Sequence, residues 1–353
     1  MKSEFLMRFL PALCVWPVWM YIMTSSSAWS SSLTEYYPLC IAMIFGSLIA
    51  GSTPLGGGIV AFPVSVLIIE FTPSQGRDFS LLIQSVGMSC AAYLIFYSKH
   101  DLIARCGNLI GSSCVSGVLG LVAGSELAVS PFTVNILFTT MVACFAVVLG
   151  YMEWAGDVSP NGAAPTERRK GEMSWPLRFG LVVQGFFGGM LSSQIGSGSD
   201  VAWFMYASLF LNKSRGKEDR IDDNALTACS VIIMAAISVF GSAIRLAQGV
   251  ESDVFLALLA CVWVVCLGAP LGSLFLTPRR RSLLKRAFYV LALVQLLTFG
   301  IIKIKGNAAA WFGVGGALVF VLVVIASHYF FVLKKKGDGA SFSNQKNLPV
   351  AAL

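Results

Sequence analysis

Charged residues are scarce in this sequence. Of its 353 residues, 12% are Asp, Glu, Lys or Arg and 56% are hydrophobic, and the mean hydropathy is +0.76. Soluble domains carry roughly 25% charged residues, so the composition excludes an ordinary water-soluble domain. Such a chain must satisfy its backbone hydrogen bonds inside lipid, either in helices or in a closed barrel. The apolar runs are continuous rather than alternating, which predicts an all-α integral membrane protein.

Side chains that bind metals or carry out nucleophilic catalysis are also scarce. The two histidines, His100 and His328, lie far apart near the ends of apolar runs, and the nine cysteines are dispersed without a C-x-x-C pair. This distribution predicts no disulfide framework, no metal site and no cofactor. The sequence offers no Ser/His/Asp or Cys/His set for nucleophilic catalysis. We therefore expect that the chain is not an enzyme.

The excess of basic residues has a simple explanation. The formal net charge is +7, but the basic residues lie in short loops between apolar runs, as expected for the cytoplasmic loops of a membrane protein. This pattern argues against nucleic-acid binding and predicts a multi-pass protein, which we expect in the plasma membrane. The basic stretches expected in the cytoplasm are 99–105, 168–170, 279–286 and 334–336.

The apolar runs form two similar halves. The first run, which contains Pro11 and Pro17, is either a signal peptide or a first membrane helix; the lack of a clear small-x-small cleavage site before Ser30 favours a retained helix. The predicted segments are an N-terminal apolar segment with a Ser-rich loop (1–36), a first membrane repeat (37–151), a polar cytoplasmic linker (152–176), a second membrane repeat (177–303), a final membrane helix (304–333) and a polar cytoplasmic tail (334–353).

Each half begins with an apolar run that a Gly-rich stretch interrupts, at 51–58 (GSTPLGGG) and at 188–199 (GGMLSSQIGSGS). When Gly56 is aligned with Gly196, Thr53 aligns with Ser193. The apolar piece that follows the first interruption is about 13 residues, or ~20 Å of helix. That is too short to cross a bilayer core of about 30 Å upright. Each half is therefore predicted to contain a Gly-rich broken or re-entrant helix.

The two halves are predicted to cross the membrane in opposite directions. One threading puts the basic loops inside and the loops around Glu35, Glu126 and Glu251 outside, if both ends of each broken run lie on the same side. Arg77 and Arg245 would be exceptions on the outside. Inverted-topology repeats with broken helices are an architecture of secondary transporters.

The breaks suggest an anion site. A helix that begins inside the membrane points unpaired N–H groups and the positive end of its dipole into the protein, where they can bind an anion. No arginine lies deep in a predicted span, so helix ends would replace basic side chains. Alternatively, the small residues serve only close helix packing. The candidate substrate-binding residues are Thr53, Gly56, Gly57, Gly58, Gln84, Ser85, Ser193, Gly196, Ser197, Gly198 and Ser199.

Asp200 follows the second break directly. A carboxylate in the first turn of a helix is favoured by the helix dipole, so Asp200 is either an ordinary capping group near water or a proton-coupling residue, because intramembrane acids are costly and frequently functional. An ionised carboxylate beside an anion site would repel the substrate. In the second case a proton and an anion would bind together.

At these breaks the chain resembles the TauE/SafE family of sulfite and organosulfonate exporters, also called the toluene-sulfonate-uptake permease group. The residues that carry the resemblance are 51–63 (GSTPLGGGIVAFP), 77–97 and 185–198, within a two-half layout over roughly 37–333. In the second half, Gly-Ser-Gly-Ser-Asp replaces the family's repeated G-x-G-G-G, and Trp203 replaces its proline. The resemblance implies export or uptake of sulfur-containing anions, driven by the proton gradient.

The leading hypothesis is a proton-coupled secondary transporter (permease) for small sulfur-containing or related organic anions such as sulfite or sulfonates. An anion channel that uses the same helix ends is the alternative. A membrane-embedded transferase is a third hypothesis, suggested by Asp219, Asp222 and Asp223, although the basic residues in that loop favour a solvated surface. The expected partners are a small anion and the lipid bilayer, with no nucleic acid, and the sequence leaves a homo-oligomer open.

Overall fold

The computed structural model describes residues 7–26, 29–154, 173–212 and 221–274, and after residue 274 only positions 286, 289–290, 292–297, 315–316, 319, 322 and 326. In these residues the chain forms α-helices and no β-strands, as predicted. The helices are α1 (Leu10–Ser25), α2 (Trp29–Ser52), α3 (Gly58–Leu67), α4 (Pro73–Ser98), α5 (His100–Ser125), α6 (Pro131–Trp154), α7 (Trp175–Ile195), α8 (Ser199–Tyr206, continued by a π-helical turn, Ala207–Leu211), α9 (Asp223–Gln248) and α10 (Ser252–Leu274).

Six of these helices contain segments long and apolar enough to cross a membrane: Ser32–Ser52, Pro73–Ser98, His100–Ser125, Pro131–Met152, Asp223–Gln248 and Ser252–Leu274. Large apolar side chains such as Phe45, Val115 and Leu119 are more than half exposed, as expected where a helix faces lipid. The chain is a multi-pass integral membrane protein. Most residues of the predicted linker, of the stretch 284–303 at the end of the second repeat and of the predicted final helix 304–333 lie outside the described residues, as does the whole tail 334–353.

Helices α2 and α4 extend beyond the N-terminal ends of their apolar runs. Helix α4 contains the apolar run 79–97 but begins at Pro73, because Thr72 and Gln75 form a capping box: the Gln75 N–H donates to Thr72 Oγ1 at 3.3 Å, and the Thr72 N–H donates to Gln75 Oε1 at 2.8 Å. Helix α2 contains the apolar run that starts at Pro38, but it begins at Trp29 and is kinked at Tyr36, just before that proline. Local capping and proline geometry therefore set these boundaries.

Corresponding helices of the two halves make corresponding contacts. Helix α2 packs on α10, α7 packs on α5, and α4 and α9 pack on each other. Small residues allow the first two pairs to approach closely: a Cβ on Gly51 would overlap the Ala269 carbonyl oxygen, and one on Gly120 would overlap the Phe186 carbonyl oxygen. Helix α3 packs on α4, and α8 packs on α9. The pair α4–α9 therefore contacts both short helices.

The N-terminal apolar run forms helix α1, which packs against α10. Trp16 Nε1 donates to the Trp263 carbonyl oxygen at 3.2 Å, and Trp19 Nε1 donates to the Leu259 carbonyl oxygen at 2.7 Å. These bonds give the indole donors partners within the protein. They agree with a role of α1 as a further membrane helix, and its retention stays a prediction.

Candidate anion site at the paired helix breaks

The first break leaves the beginning of α3 without a side-chain cap. Helix α2 ends at Ser52, Gly56 has a φ of +61°, and Gly57 is the N-cap of α3 with no side-chain hydrogen bond. The Thr53 hydroxyl donates back to the Ile49 carbonyl oxygen of α2 at 2.8 Å. The N–H groups of Val60 and Ala61 are the first to bond within α3, both to the Gly57 carbonyl oxygen. Those before Val60 have no partner within the helix.

The second break differs, because its own side chains cap α8. Gly196 and Gly198 have φ values of +78° and +138°, a region that residues with a side chain rarely adopt. Asp200 Oδ1 accepts hydrogen bonds from the N–H groups of Gly198 at 3.3 Å and Val201 at 3.0 Å. The Ser199 N–H donates to Ser192 Oγ at 3.1 Å. The first turn of α8 is therefore largely occupied by protein acceptors.

The two breaks meet at Gly56. A Cβ on Gly56 would lie 2.5 Å from Asp200 Oδ2, 2.7 Å from Gln84 Oε1 and 3.3 Å from Ser197 Oγ. A Cβ on Gly58 would lie 2.6 Å from the Cβ of Ser197. Real Cβ atoms do not approach other atoms this closely, so glycine is required for the contact. The positive end of α3 therefore faces the carboxylate of α8.

Gln84 connects α4 to the second break. Its Nε2 donates to the Gly196 carbonyl oxygen at 2.7 Å and lies 2.9 Å from Ser80 Oγ and 3.1 Å from the Ser80 carbonyl oxygen. Ser80 Oγ in turn lies 3.3 Å from the Gly196 carbonyl oxygen. Gln84 thus holds the break in place through its amide nitrogen, and its amide oxygen is directed toward Gly56.

Three buried oxygen atoms around Gly56 have no hydrogen-bond partner in the described part of the chain: Gln84 Oε1, Ser197 Oγ and Asp200 Oδ2. Ser197 and Asp200 are fully buried and Gln84 is 2% exposed. All three accept hydrogen bonds, and only the hydroxyl can also donate one. A buried acceptor without a donor costs roughly 1–3 kcal/mol. The cluster is therefore suited to taking up a proton or a hydrogen-bonding ligand.

Two of the predicted residues are directed elsewhere. Ser85 is half-buried and its hydroxyl donates to the Leu82 carbonyl oxygen at 2.7 Å. Ser193 donates to the Met190 carbonyl oxygen at 2.7 Å and contacts α5, where a Cβ on Gly124 would overlap its Oγ. Their hydroxyl protons are thus used within their own helices, as is that of Thr53. The structure brings together Gly56, Gly58, Gln84, Gly196, Ser197 and Asp200, with Gly57, Gly198 and Ser199 adjoining them in the chain.

A small apolar cavity, with room for about one water molecule, lies behind Gly57. Met43, Met88 and Val265 are among its lining residues, together with Gln84. The space between the breaks themselves is filled by side chains of the protein. An anion would therefore have to enter as the breaks part.

Two arginines, Arg77 and Arg245, lie beside the second break, and the sequence alone did not indicate this. Arg245 is 8% exposed, and its Nη2 donates to the Ser193 carbonyl oxygen at 2.8 Å. Asp78 Oδ1 lies 3.4 Å from Arg245 Nε and 2.8 Å from Arg77 Nε. Arg77 and Arg245 appear in sequence only as exceptions to the charge pattern. Arg77 lies near the beginning of α4 and Arg245 near the end of α9, and these positions are a signal that could have linked the two arginines.

A comparison with models of protein families identifies the family to which the chain belongs. The model described as sulfite exporter TauE/SafE matches residues 39–299, which is most of the chain and includes both breaks. The chain belongs to the TauE/SafE family. The resemblance inferred from the Gly-rich breaks is thereby confirmed.

Membership of the TauE/SafE family makes the chain a membrane transporter for sulfite or other sulfur-containing anions, and agrees with the expectation that it is not an enzyme. It also supports the plasma membrane as the location of this multi-pass protein. No curated protein and no solved structure matches the chain. The details of the site therefore depend on the geometry around Gly56.

Proposed function

We propose that the protein is a permease that carries sulfite or a small sulfonate, bound at the N-terminus of α3, together with a proton on Asp200. The observation that carries this proposal is the contact at Gly56, where the uncapped end of α3 meets the carboxylate of α8. Backbone N–H groups at a helix N-terminus bind tetrahedral and pyramidal oxyanions without a basic side chain.

The end of α3 suits an anion better than the end of α8. In α8 the N–H groups of Ser199 and Val201 already donate to Ser192 and Asp200. In α3 the N–H groups of the first two residues, Gly58 and Ile59, have no partner within the helix. Gly56 and Gly57 have no side chain that would keep an oxyanion away from them. The anion therefore binds chiefly to α3, and α8 supplies the acid.

Protonation of Asp200 makes anion binding favourable. An ionised carboxylate at Gly56 would repel a sulfite placed against the same glycines, and the repulsion would be strong because Asp200 is fully buried. A neutral carboxylic acid removes this repulsion and offers a donor. One proton and one anion then move together, which agrees with the use of buried acids as proton carriers in membrane proteins.

The matching contacts of the two halves support alternating access by inverted repeats. The pairs α2–α10 and α5–α7 correspond, and α4–α9 joins the halves. In transporters of this architecture one repeat rocks against the other around a central site. Because side chains now fill the space at Gly56, the described state is closed at the site. Rocking that separates α3 from α8 opens it.

Transport in reconstituted vesicles tests this function. The purified protein is reconstituted into liposomes that are loaded with unlabelled sulfite. Labelled sulfite or small sulfonates are then added outside, with and without a pH gradient. We expect saturable uptake, counterflow and faster accumulation with an inward proton gradient. A flux that follows voltage without counterflow would identify an anion channel instead. No flux of sulfite or sulfonates under any gradient would contradict the proposed substrate class.

A further inference from the structure

The orientation of the Gln84 amide is fixed by its neighbours. Nε2 faces two carbonyl oxygens, those of Gly196 at 2.7 Å and Ser80 at 3.1 Å. A carbonyl oxygen only accepts hydrogen bonds, so the amide nitrogen must be on that side. Oε1 is consequently the atom that faces the break.

Asp200 presents one free oxygen to the same place. Oδ1 already accepts two backbone N–H groups, from Gly198 and Val201. Among the described residues Oδ2 has no hydrogen-bond partner, and both Oδ2 and Gln84 Oε1 lie within 3 Å of the position that a Gly56 Cβ would occupy. Two acceptors thus converge on one point. The Ser197 hydroxyl can donate to only one of them.

The nearby charges do not neutralise this carboxylate. On α4 the charged groups are Arg77 and Asp78, and on α9 they are Asp223 and Arg245; Arg77 and Arg245 both form an ion pair with Asp78. Asp223 lies in the first turn of α9. Helix α7 carries Arg178 in its first turn, at the end opposite to the break. In the described part of the chain Asp200 forms no ion pair.

We propose that Gln84 Oε1 accepts a hydrogen bond from the protonated Asp200, so that an Oδ2–H···Oε1 bond links α8 to α4 and positions the acid beside Gly56. This inference rests on the proposed function and adds the residue that positions its acid. With the proton bound, Asp200 Oδ2 and Gln84 Oε1 both have a hydrogen-bond partner. When the proton leaves, an anionic oxygen faces an amide oxygen and this hydrogen bond is lost, while Gln84 Nε2 keeps its bond to the Gly196 carbonyl oxygen.

Infrared spectroscopy of the protein in lipid tests the hydrogen bond without any transport substrate. A protonated carboxyl group has a carbonyl stretching band that rises in frequency when the acid loses its hydrogen-bond acceptor. We expect a band that Asp200→Asn abolishes and Gln84→Met shifts to higher frequency. Gln184→Met is the matched control: Gln184 also has an unpartnered Oε1, and its Nε2 donates to Ser113 Oγ on α5 at 3.0 Å, in a different helix pair. It should leave the band unchanged.

Transport supplies the second readout. The rate of sulfite exchange in wild-type protein should change with pH. Gln84→Met should shift that dependence to lower pH, because the protonated acid loses its acceptor, and Gln184→Met should not shift it. An Asp200-dependent band that Gln84→Met does not move would overturn the link. So would a pH profile that Gln84→Met does not shift. If the band behaves as expected while wild-type protein moves no sulfite, the link stands and the proposed function fails.

Discussion

At the scale of single residues, the candidate site depends on the absence of a side chain at Gly56. Its φ of +61° is in the left-handed region, and Asp200 Oδ2 and Gln84 Oε1 occupy the space that a Cβ would need. Backbone conformation and crowding thus both require glycine. The sequence identified the glycines, Gln84 and Asp200 as candidates. It did not reveal which of their atoms face one another, because this depends on how different helices pack.

Gly56→Ala should disrupt transport with the fold preserved. The added methyl group would push Asp200 and Gln84 apart and strain the backbone by roughly 1–2 kcal/mol. We expect sulfite uptake to fall at least about tenfold, equivalent to about 1.4 kcal/mol in the barrier, with the protein still inserted.

Gly249→Ala is the matched control for this change. Gly249 has a φ of +92°, but no atom of the described residues lies within 4 Å of its Cβ position, so the variant carries strain without crowding. Its uptake should stay close to wild type. Equal loss of uptake in both variants would mean that backbone strain, and not the contact at Gly56, causes the defect.

At the scale of helices, small residues hold the two halves together. In α5 and α7, Gly120 and Gly189 each lie against a backbone carbonyl of the facing helix, that of Phe186 or Gly117. The sequence offered this packing role for the Gly-rich breaks as an alternative to an anion site. In the structure these glycines inside the helices pack against backbone, including Gly189 of the second break, whereas Gly56 leaves room for Asp200 and Gln84.

Gly120→Leu should destabilise the pairing of α5 with α7. Overpacking costs about 1–3 kcal/mol where neighbours can adjust, and here the neighbour is backbone, so we expect a cost at or above the upper figure. The midpoint of thermal unfolding in detergent measures it. Gly111→Leu, on the same helix with nothing within 4 Å of the Cβ position, should leave the midpoint nearly unchanged. Comparable loss in both variants would argue against this interface.

At the scale of the whole molecule, the apolar pattern predicts where the helices lie better than it predicts the polar contacts. Six apolar helices and the two breaks lie in the parts of the chain where the pattern predicts them, although α2 and α4 begin earlier. The capping of α8 by Ser192 and the burial of Arg245 beside Ser193 were not predictable, because each depends on the path of the chain in space. The two arginines beside the break, Arg77 and Arg245, offer a competing place for an anion.

The position of a bound anion therefore tests the central claim most directly. Selenite has the shape and charge of sulfite, and its selenium can be located by anomalous diffraction from crystals of the wild-type protein. We predict a selenium peak within hydrogen-bonding reach of the N–H groups of Gly58 and Ile59, at the start of α3. A peak beside Arg77 and Arg245, with none at α3, would contradict the claim that a helix end holds the substrate.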